Sequence, residues 1–319
     1  MAIAGFSLHD GLVPDQRGRA TPRGVWTLAL VASLAVSTWT LAPVRAADAT
    51  DAPSRPVESL TVSLPEEIFG NSSAGTGPLV AIDAATAYAA GRGLVGVTVI
   101  DRRAGATVDN GVGAHTAMGS ASVVKVLLAE ELLHRASVGQ IQLGPSEYAR
   151  IETMLVNSDD PAASSLYSQF GDVSLIVSAI TRHELKESSP PVDPRYWGNT
   201  KISAHDVATL YDHVLDGSLP AAEREYLFGL LASLAPVASD GFGQLFGLAG
   251  LGPAEHSAVK QGWMCCLDGV RNVHSSAVLG PDERYVVVIL TQYPPALPWE
   301  YGRTTTTEVA RLVLAGLAL

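Results

Sequence analysis

Residues 121–137 read ASVVKVLLAEELLHRAS. Apolar side chains occupy nearly every face of its first two turns, which marks a helix enclosed by the rest of a domain, with Ser120 as its N-cap. Lys125 is the only Asp, Glu, Lys or Arg between Asp109 and Glu130, and it sits inside Val123-Val124-Lys125-Val126-Leu127-Leu128. Burying an ammonium there is costly unless the chemistry uses it. Its place three residues after Ser122 puts hydroxyl and amine on one face, a turn apart, as a nucleophile and its base must stand.

Working outward, Gly93 to Asp101 (GLVGVTVID) reads as a strand, and Asp109-Asn110-Gly111 offers turn chemistry leading into a second short strand. Helical patterns follow at 146–156, 160–170, 203–216 and 220–233. Strand character returns at 256–264, 270–280 and 284–293, joined by Asp268-Gly269 and Gly280-Pro281-Asp282. TTTTEVARLVLAGLAL closes the chain as a helix capped by Thr. Two strands, then helices, then three hairpin-linked strands and a helix predict an α+β body. Its antiparallel five-stranded sheet would be flanked by helices and joined to a mostly helical lobe.

The chain has 319 residues, 47% of them apolar, and a formal net charge of −11. With 17 Arg and 4 Lys against 32 acids and no basic run, it lacks the footing for phosphate-backbone binding, so no nucleic-acid partner is expected. A small-molecule or peptide-like ligand is. Arg17, Arg19 and Arg23 precede 21 uncharged residues, 24–44, and Val44-Arg45-Ala46 resembles a small-residue cleavage site. Residues 1–46 therefore read as a signal peptide or a membrane anchor formed by 24–44. Either puts the remainder outside the cytoplasm, secreted or held on the outer face of the membrane. Residues 47–77 are a Pro/Ser/Gly-rich linker, and 78–319 is the folded domain.

Cysteine is confined to the adjacent pair Cys265 and Cys266. Side chains on neighbouring residues diverge, so two buried thiols are expected, with a vicinal disulfide as the alternative. No Cys/His spacing suggests a metal, His205 and His213 with Asp212 lack a tight ligand pattern, and no cofactor is expected.

Chance alone gives about 0.3 S-x-x-K pairs for 27 Ser and 4 Lys in this length. A second copy does occur, Ser257 to Lys260, but positions i and i+3 of a strand face opposite ways. Where any cation suffices this chain uses Arg, and only Lys can surrender a proton when desolvated, which singles out Lys125 and Lys260. Ser158-Asp159-Asp160 opens a helix, and Lys260-Gln261-Gly262 lies on the first strand of the last three.

With these three elements in order, Ser122-Val123-Val124-Lys125, Ser158-Asp159-Asp160 and Lys260-Gln261-Gly262, the domain resembles the class A serine β-lactamase and penicillin-binding protein superfamily, as a divergent member. The resemblance implies Ser122 as acylated nucleophile, Lys125 as its base and Ser158 as a proton relay. It implies substrate binding by Lys260, Gln261, Gly262, Trp263 and Asp160, with an oxyanion hole from the backbone N–H groups of Ser122 and Trp263. The expected activity is acyl-enzyme hydrolysis of β-lactams or cell-wall peptide amides.

Several positions depart from that pattern. Asp160 replaces an amide, and can turn inward to Lys125 or outward as a helix-start residue. Gln261 replaces a hydroxyl residue. The Glu-bearing loop that activates the deacylating water has no counterpart in Glu187 to Ser203, where Glu187 and Asp193 are misplaced and Asn199 matches the loop's Asn. Deacylation should accordingly be slow or altered. The alternative is a non-catalytic domain of the same fold that binds cell-wall fragments or a protein. A Ser-His-Asp hydrolase is weaker, because no G-x-S-x-G occurs. His274, beside Ser275 and Ser276, would line the cleft or be held by a structural hydrogen bond.

Overall fold

Strand β7 (Tyr285–Tyr293, YVVVILTQY) explains the architecture. Alternate side chains of a strand face opposite ways. Here Val286, Val288 and Leu290 join one apolar cluster while Tyr285, Val287 and Ile289 join another. Both faces are covered, which is why the strand reads as an unbroken apolar run. The computed structural model describes residues 77–251 and 257–319. The signal or anchor at 1–46 and the linker at 47–76 lie outside the described residues. No helix among the described residues is long and apolar enough to cross a membrane.

β7 is paired on one side with β1 (Leu94–Asp101) and on the other with β6 (Arg271–Leu279). β2 (Ala106–Asp109) and β5 (Ser257–Cys265) complete the antiparallel five-stranded sheet in the order β2-β1-β7-β6-β5. One face packs on α1 (Pro78–Ala89) and α8 (Trp299–Leu314), through Ile82, Ala85, Val309, Ala310 and Val313. The other meets the helical lobe, whose centre is α2 (Val124–Ser137), buried continuously from Val124 to Leu133. Around α2 stand α3 (Pro145–Val156), α4 (Asp160–Gln169), α5 (Val173–Arg182), α6 (Ala204–His213) and α7 (Ala221–Ala232). A two-stranded ribbon, β3 (Met118–Gly119) with β4 (Lys201–Ile202), links the lobe to the nucleophile segment.

Several expectations needed correction. The first hairpin turns at Arg102 to Gly105, not at Asp109-Asn110-Gly111. Asp101 Oδ1 accepts from the N–H groups of Arg103 and Ala104, and Gly105 takes the positive φ of 61°. Asn110 instead bonds the β1 backbone, accepting from Val97 N and donating to Val95 O, both at 2.8 Å. The last helix begins at Trp299, ahead of the Thr run. Ser120 does not cap its helix, because its hydroxyl donates to Gly198 O at 3.0 Å. Cys265 and Cys266 are joined as a vicinal disulfide at the exposed end of β5, rather than being buried thiols.

Helix α2 also buries charge. Glu130 is fully buried, and Arg182 at the end of α5 donates to both its oxygens, at 2.9 and 2.5 Å. Burial pushes the Glu130 carboxyl up, but bonds from His183 and Arg182 outweigh it and hold the carboxyl below its ordinary value. Its contribution is therefore present above the unfolded value, about 4.3, and is lost as pH falls through the lower folded value. Arg182→Met strands part of that buried charge and is expected to cost about 3 kcal/mol, read as a shift in urea midpoint at pH 7.

Candidate active site

The nucleophile segment is held in an uncommon backbone shape. Ala121 has φ 48°, and a short 3-10 turn, Ala121–Val123, precedes α2. Such left-handed non-glycine residues persist where surrounding packing enforces them. Part of that packing is β5: a Cβ on Gly262 would stand 3.1 Å from Val123 Cγ2 and 3.2 Å from Ser120 O and Val123 N. Any side chain there would make the turn or the strand give by a few tenths of an ångström.

Lys125 Nζ lies 2.9 Å from Ser122 Oγ, as the helical spacing requires. It also reaches Ser158 O at 2.5 Å, Ser158 Oγ at 3.3 Å and Asp160 Oδ1 at 2.6 Å, while the Trp197 ring centroid is 5.1 Å away. From the sheet, Lys260 Nζ donates to Ser158 Oγ at 2.9 Å and to Gln261 O at 2.8 Å. A continuous polar path thus runs Ser122, Lys125, Ser158, Lys260, drawn from three parts of the chain. Both lysine side chains are fully buried, and Ser122 is 7% exposed.

Burial pushes the Lys125 amine below its ordinary value, although Asp160 acts in the opposite sense by charge and hydrogen bond. Burial and the nearby Lys125 charge hold Lys260 well below its ordinary value. Desolvated amines of this kind can shed a proton near neutral pH, which solvated lysines do not.

Asp160 turns inward. Asp159 is the residue that caps α4, accepting from Ala162 N at 2.7 Å, which frees Asp160 to reach Lys125. Gln261 does not face the cleft: it is buried and its amide donates to Gln244 O and Phe246 O at 2.9 and 2.5 Å. Trp263 is stacked on Phe242 at 4.5 Å between centroids, with Nε1 donating to Asp240 Oδ2 at 2.9 Å. His274 is a structural residue. Its Nδ1 accepts from Thr291 N at 3.1 Å, so Nε2 carries the proton given to Gly119 O at 2.8 Å, and burial pushes it down to about 4.

Glu187 bonds to His115 and Ser203, Asp193 pairs with Arg195, and Asn199 lies in the turn before β4. Among the described residues, the carboxylate that bonds to the Ser122–Lys125 pair is Asp160. His205 and His213 part company in the fold: His213 stacks on His183, while the His205 ring lies tilted against His115. Trp197, Asp240 and Gln244 were not legible in the sequence, since each arrives on an irregular loop without a local pattern.

No protein-family model matches the sequence. The chain is 36% identical over 263 residues to the "Putative lipoprotein LppW" of Mycobacterium tuberculosis and of Mycobacterium bovis, covering 81% of this chain and 82% of theirs. In three dimensions it is similar to a β-lactamase from Chitinophaga pinensis (TM-score 0.61, 16% identity, 73% of this chain and 97% of that one). It is likewise similar to an ancestral class A β-lactamase (TM-score 0.58, 19% identity, 74% and 98%) and to the class A β-lactamase of Mycobacterium abscessus (TM-score 0.55, 17% identity, 73% and 98%). At such identities these likenesses establish the fold, while the first comparison establishes kinship. The chain therefore belongs to the LppW family, built on a divergent class A β-lactamase fold.

Proposed function

We propose that this protein is a serine acyl-transfer hydrolase acting on β-lactams or cell-wall peptide amides, with slow deacylation. The observation that carries the reading is the 2.9 Å contact between Ser122 Oγ and a fully buried Lys125 amine that has a second amine, Lys260, one hydroxyl away. In acylation Ser122 Oγ attacks the amide carbon while its proton passes to Lys125. The carbonyl oxygen takes the developing charge toward the N–H groups of Ser122 and Trp263. The C–N bond then breaks, and Ser158 gives its proton to the leaving nitrogen and recovers one from Lys125 or Lys260. Preorganised donors in a cleft of low water content are the largest expected source of rate.

Among the described residues, the candidate carboxylates for deacylation are each already engaged, in keeping with slow deacylation. Asp160 is already hydrogen-bonded to Lys125, and the Glu187 and Asp193 carboxylates are engaged elsewhere. Recognition of a substrate carboxylate by Lys260 is weakened because its amine is buried and biased toward the neutral form. That favours a peptide amide or a slowly accepted β-lactam. The exposed surface of this domain would face the cell wall from the outer side of the membrane, in keeping with the lipoprotein name of the relatives and with a signal or anchor at 24–44.

Incubating the purified chain with a fluorescent penicillin is expected to give a covalent adduct on the peptide bearing Ser122, persisting for many minutes. Rapidly lost label with steady cephalosporin turnover would mean efficient hydrolysis. No adduct at high protein concentration would support the rival reading, a non-catalytic binder of cell-wall fragments.

A further inference from the structure

Away from the Ser122 cleft, three side chains far apart in sequence stand together. His115 lies between β2 and β3, Glu187 in the segment after α5, and His205 in the first turn of α6. One ligand-capable atom of each lies within 4.8 Å of the others. His115 Nδ1 is 2.6 Å from Glu187 Oε1, and the two imidazole rings approach to 4.7 Å between centroids. His205 Nδ1 is buried and has no hydrogen-bond partner; the Asp206 carboxylate stands 3.9 Å from it. A buried ring nitrogen without a partner is uncommon and asks for an occupant.

The atoms behind these ligands are already held. His115 Nε2 faces Asp109 Oδ2 at 3.3 Å, and Glu187 Oε2 accepts from Ser203 Oγ at 2.5 Å. Asp206 Oδ2 accepts from Glu187 N and Ser188 Oγ, both at 2.8 Å, which pins the Glu187 segment to α6. Such outer partners fix the tautomer and direction of metal-binding groups.

We propose that His115, Glu187 and His205 bind a divalent transition-metal ion, zinc by the chemistry of the donors. Two imidazoles and one carboxylate match zinc, with a fourth position left to water, whereas calcium and magnesium prefer all-oxygen sets. Bonds of about 2.0–2.1 Å put tetrahedral ligand atoms about 3.4 Å apart. His115 and Glu187 must therefore separate by less than about 1 Å, and the widest pair must close by about 1.4 Å, which side-chain rotation supplies. The ion's role is structural. His115 lies three residues before Met118, His205 three after Ile202, and Ser189 pairs its backbone with Lys201, so the ion ties together every segment of the β3–β4 ribbon. β3 runs directly into Ser120 and Ser122.

The test is titration of the chelator-treated full chain with zinc chloride, and with cobalt(II) for its visible absorption. One equivalent should bind, cobalt should give d–d bands of a four- or five-coordinate ion, and zinc should raise the melting temperature. His205→Ala and Glu187→Gln should each weaken binding at least about 100-fold and remove the thermal shift. His213→Ala, on the same helix but stacked on His183, should leave binding unchanged. His205 is 38% exposed, so its alanine variant should fold, and its circular dichroism serves as the check. No binding at one equivalent, or equal affinity in the wild type and both ligand variants, overturns the proposal. A matching loss in His213→Ala does so as well.

Discussion

Ser122→Ala is expected to abolish covalent labelling by a penicillin, and Lys125→Met to slow it by about 10²–10⁴-fold, the range that loss of a general base produces. Methionine keeps the unbranched length of lysine, so it should fill the space between the Ser158 backbone and the Trp197 ring. Its removal of the ammonium leaves no buried charge unpaired, because the Asp160 side chain is 69% exposed, but it takes a donor from the buried Ser158 carbonyl. A buried neutral acceptor left without its donor costs about 1–3 kcal/mol, against which the desolvation of the ammonium is relieved. Both variants should therefore fold, Ser122→Ala melting near the wild-type temperature and Lys125→Met within a few degrees of it, while losing acylation. That combination separates a chemical role for these residues from a structural one, and label surviving in Ser122→Ala would move the nucleophile elsewhere.

Asp160→Asn is expected to move the rising limb of the acylation pH profile toward acid by about 1–3 units, the shift one carboxylate at hydrogen-bond distance produces. Burial lowers the Lys125 pKa, while Asp160 above all, and then Asp159 and Asp240, raise it. Only the neutral amine can accept the Ser122 proton, so the rate climbs with pH until the folded-state pKa is passed. Removing the Asp160 carboxylate leaves burial opposed only by Asp159 and Asp240, the pKa falls, and the limb starts earlier. Below the wild-type limb each unit is worth about tenfold in rate. Asparagine also returns an amide donor to the cleft. Single-turnover acylation between pH 5 and 9 measures the displacement, and an unmoved limb would assign the titration to neither lysine, since Asp160 acts on both.

Where the sequence was legible, the reason is periodicity. β5, β6 and β7 were read within a residue or so, because both sheet faces are buried and each strand is bounded by Gly or Asp turns. The Ser122–Lys125 pair was legible because helical spacing alone brings the groups together, and Lys260 because a strand lysine is rare in this chain. Helix α1 escaped notice since PLVAIDAATAYA has small residues on all sides and follows a Pro-rich stretch. Helix α5 was missed although its apolar face is clear, being hidden directly behind Gly171 and Asp172. Asp160 could not be oriented from sequence, because Asp159 and Asp160 compete for one capping position and only tertiary contact with Lys125 decides between them. The His115, Glu187 and His205 cluster was beyond reach, with 72 residues separating its first two members.

The four oxygens around Lys125 Nζ carry a consequence in the arithmetic of hydrogens. A neutral primary amine owns two N–H bonds and one lone pair. The two tightest neighbours, Ser158 O at 2.5 Å and Asp160 Oδ1 at 2.6 Å, cannot donate once the carboxylate is ionised, so they claim both hydrogens. The lone pair is left for Ser122, the neighbour at 2.9 Å that owns a hydrogen to give. In its neutral form the amine would thereby have its electron pair oriented toward one serine by the backbone of another and the side chain of an aspartate, aimed before any substrate arrives.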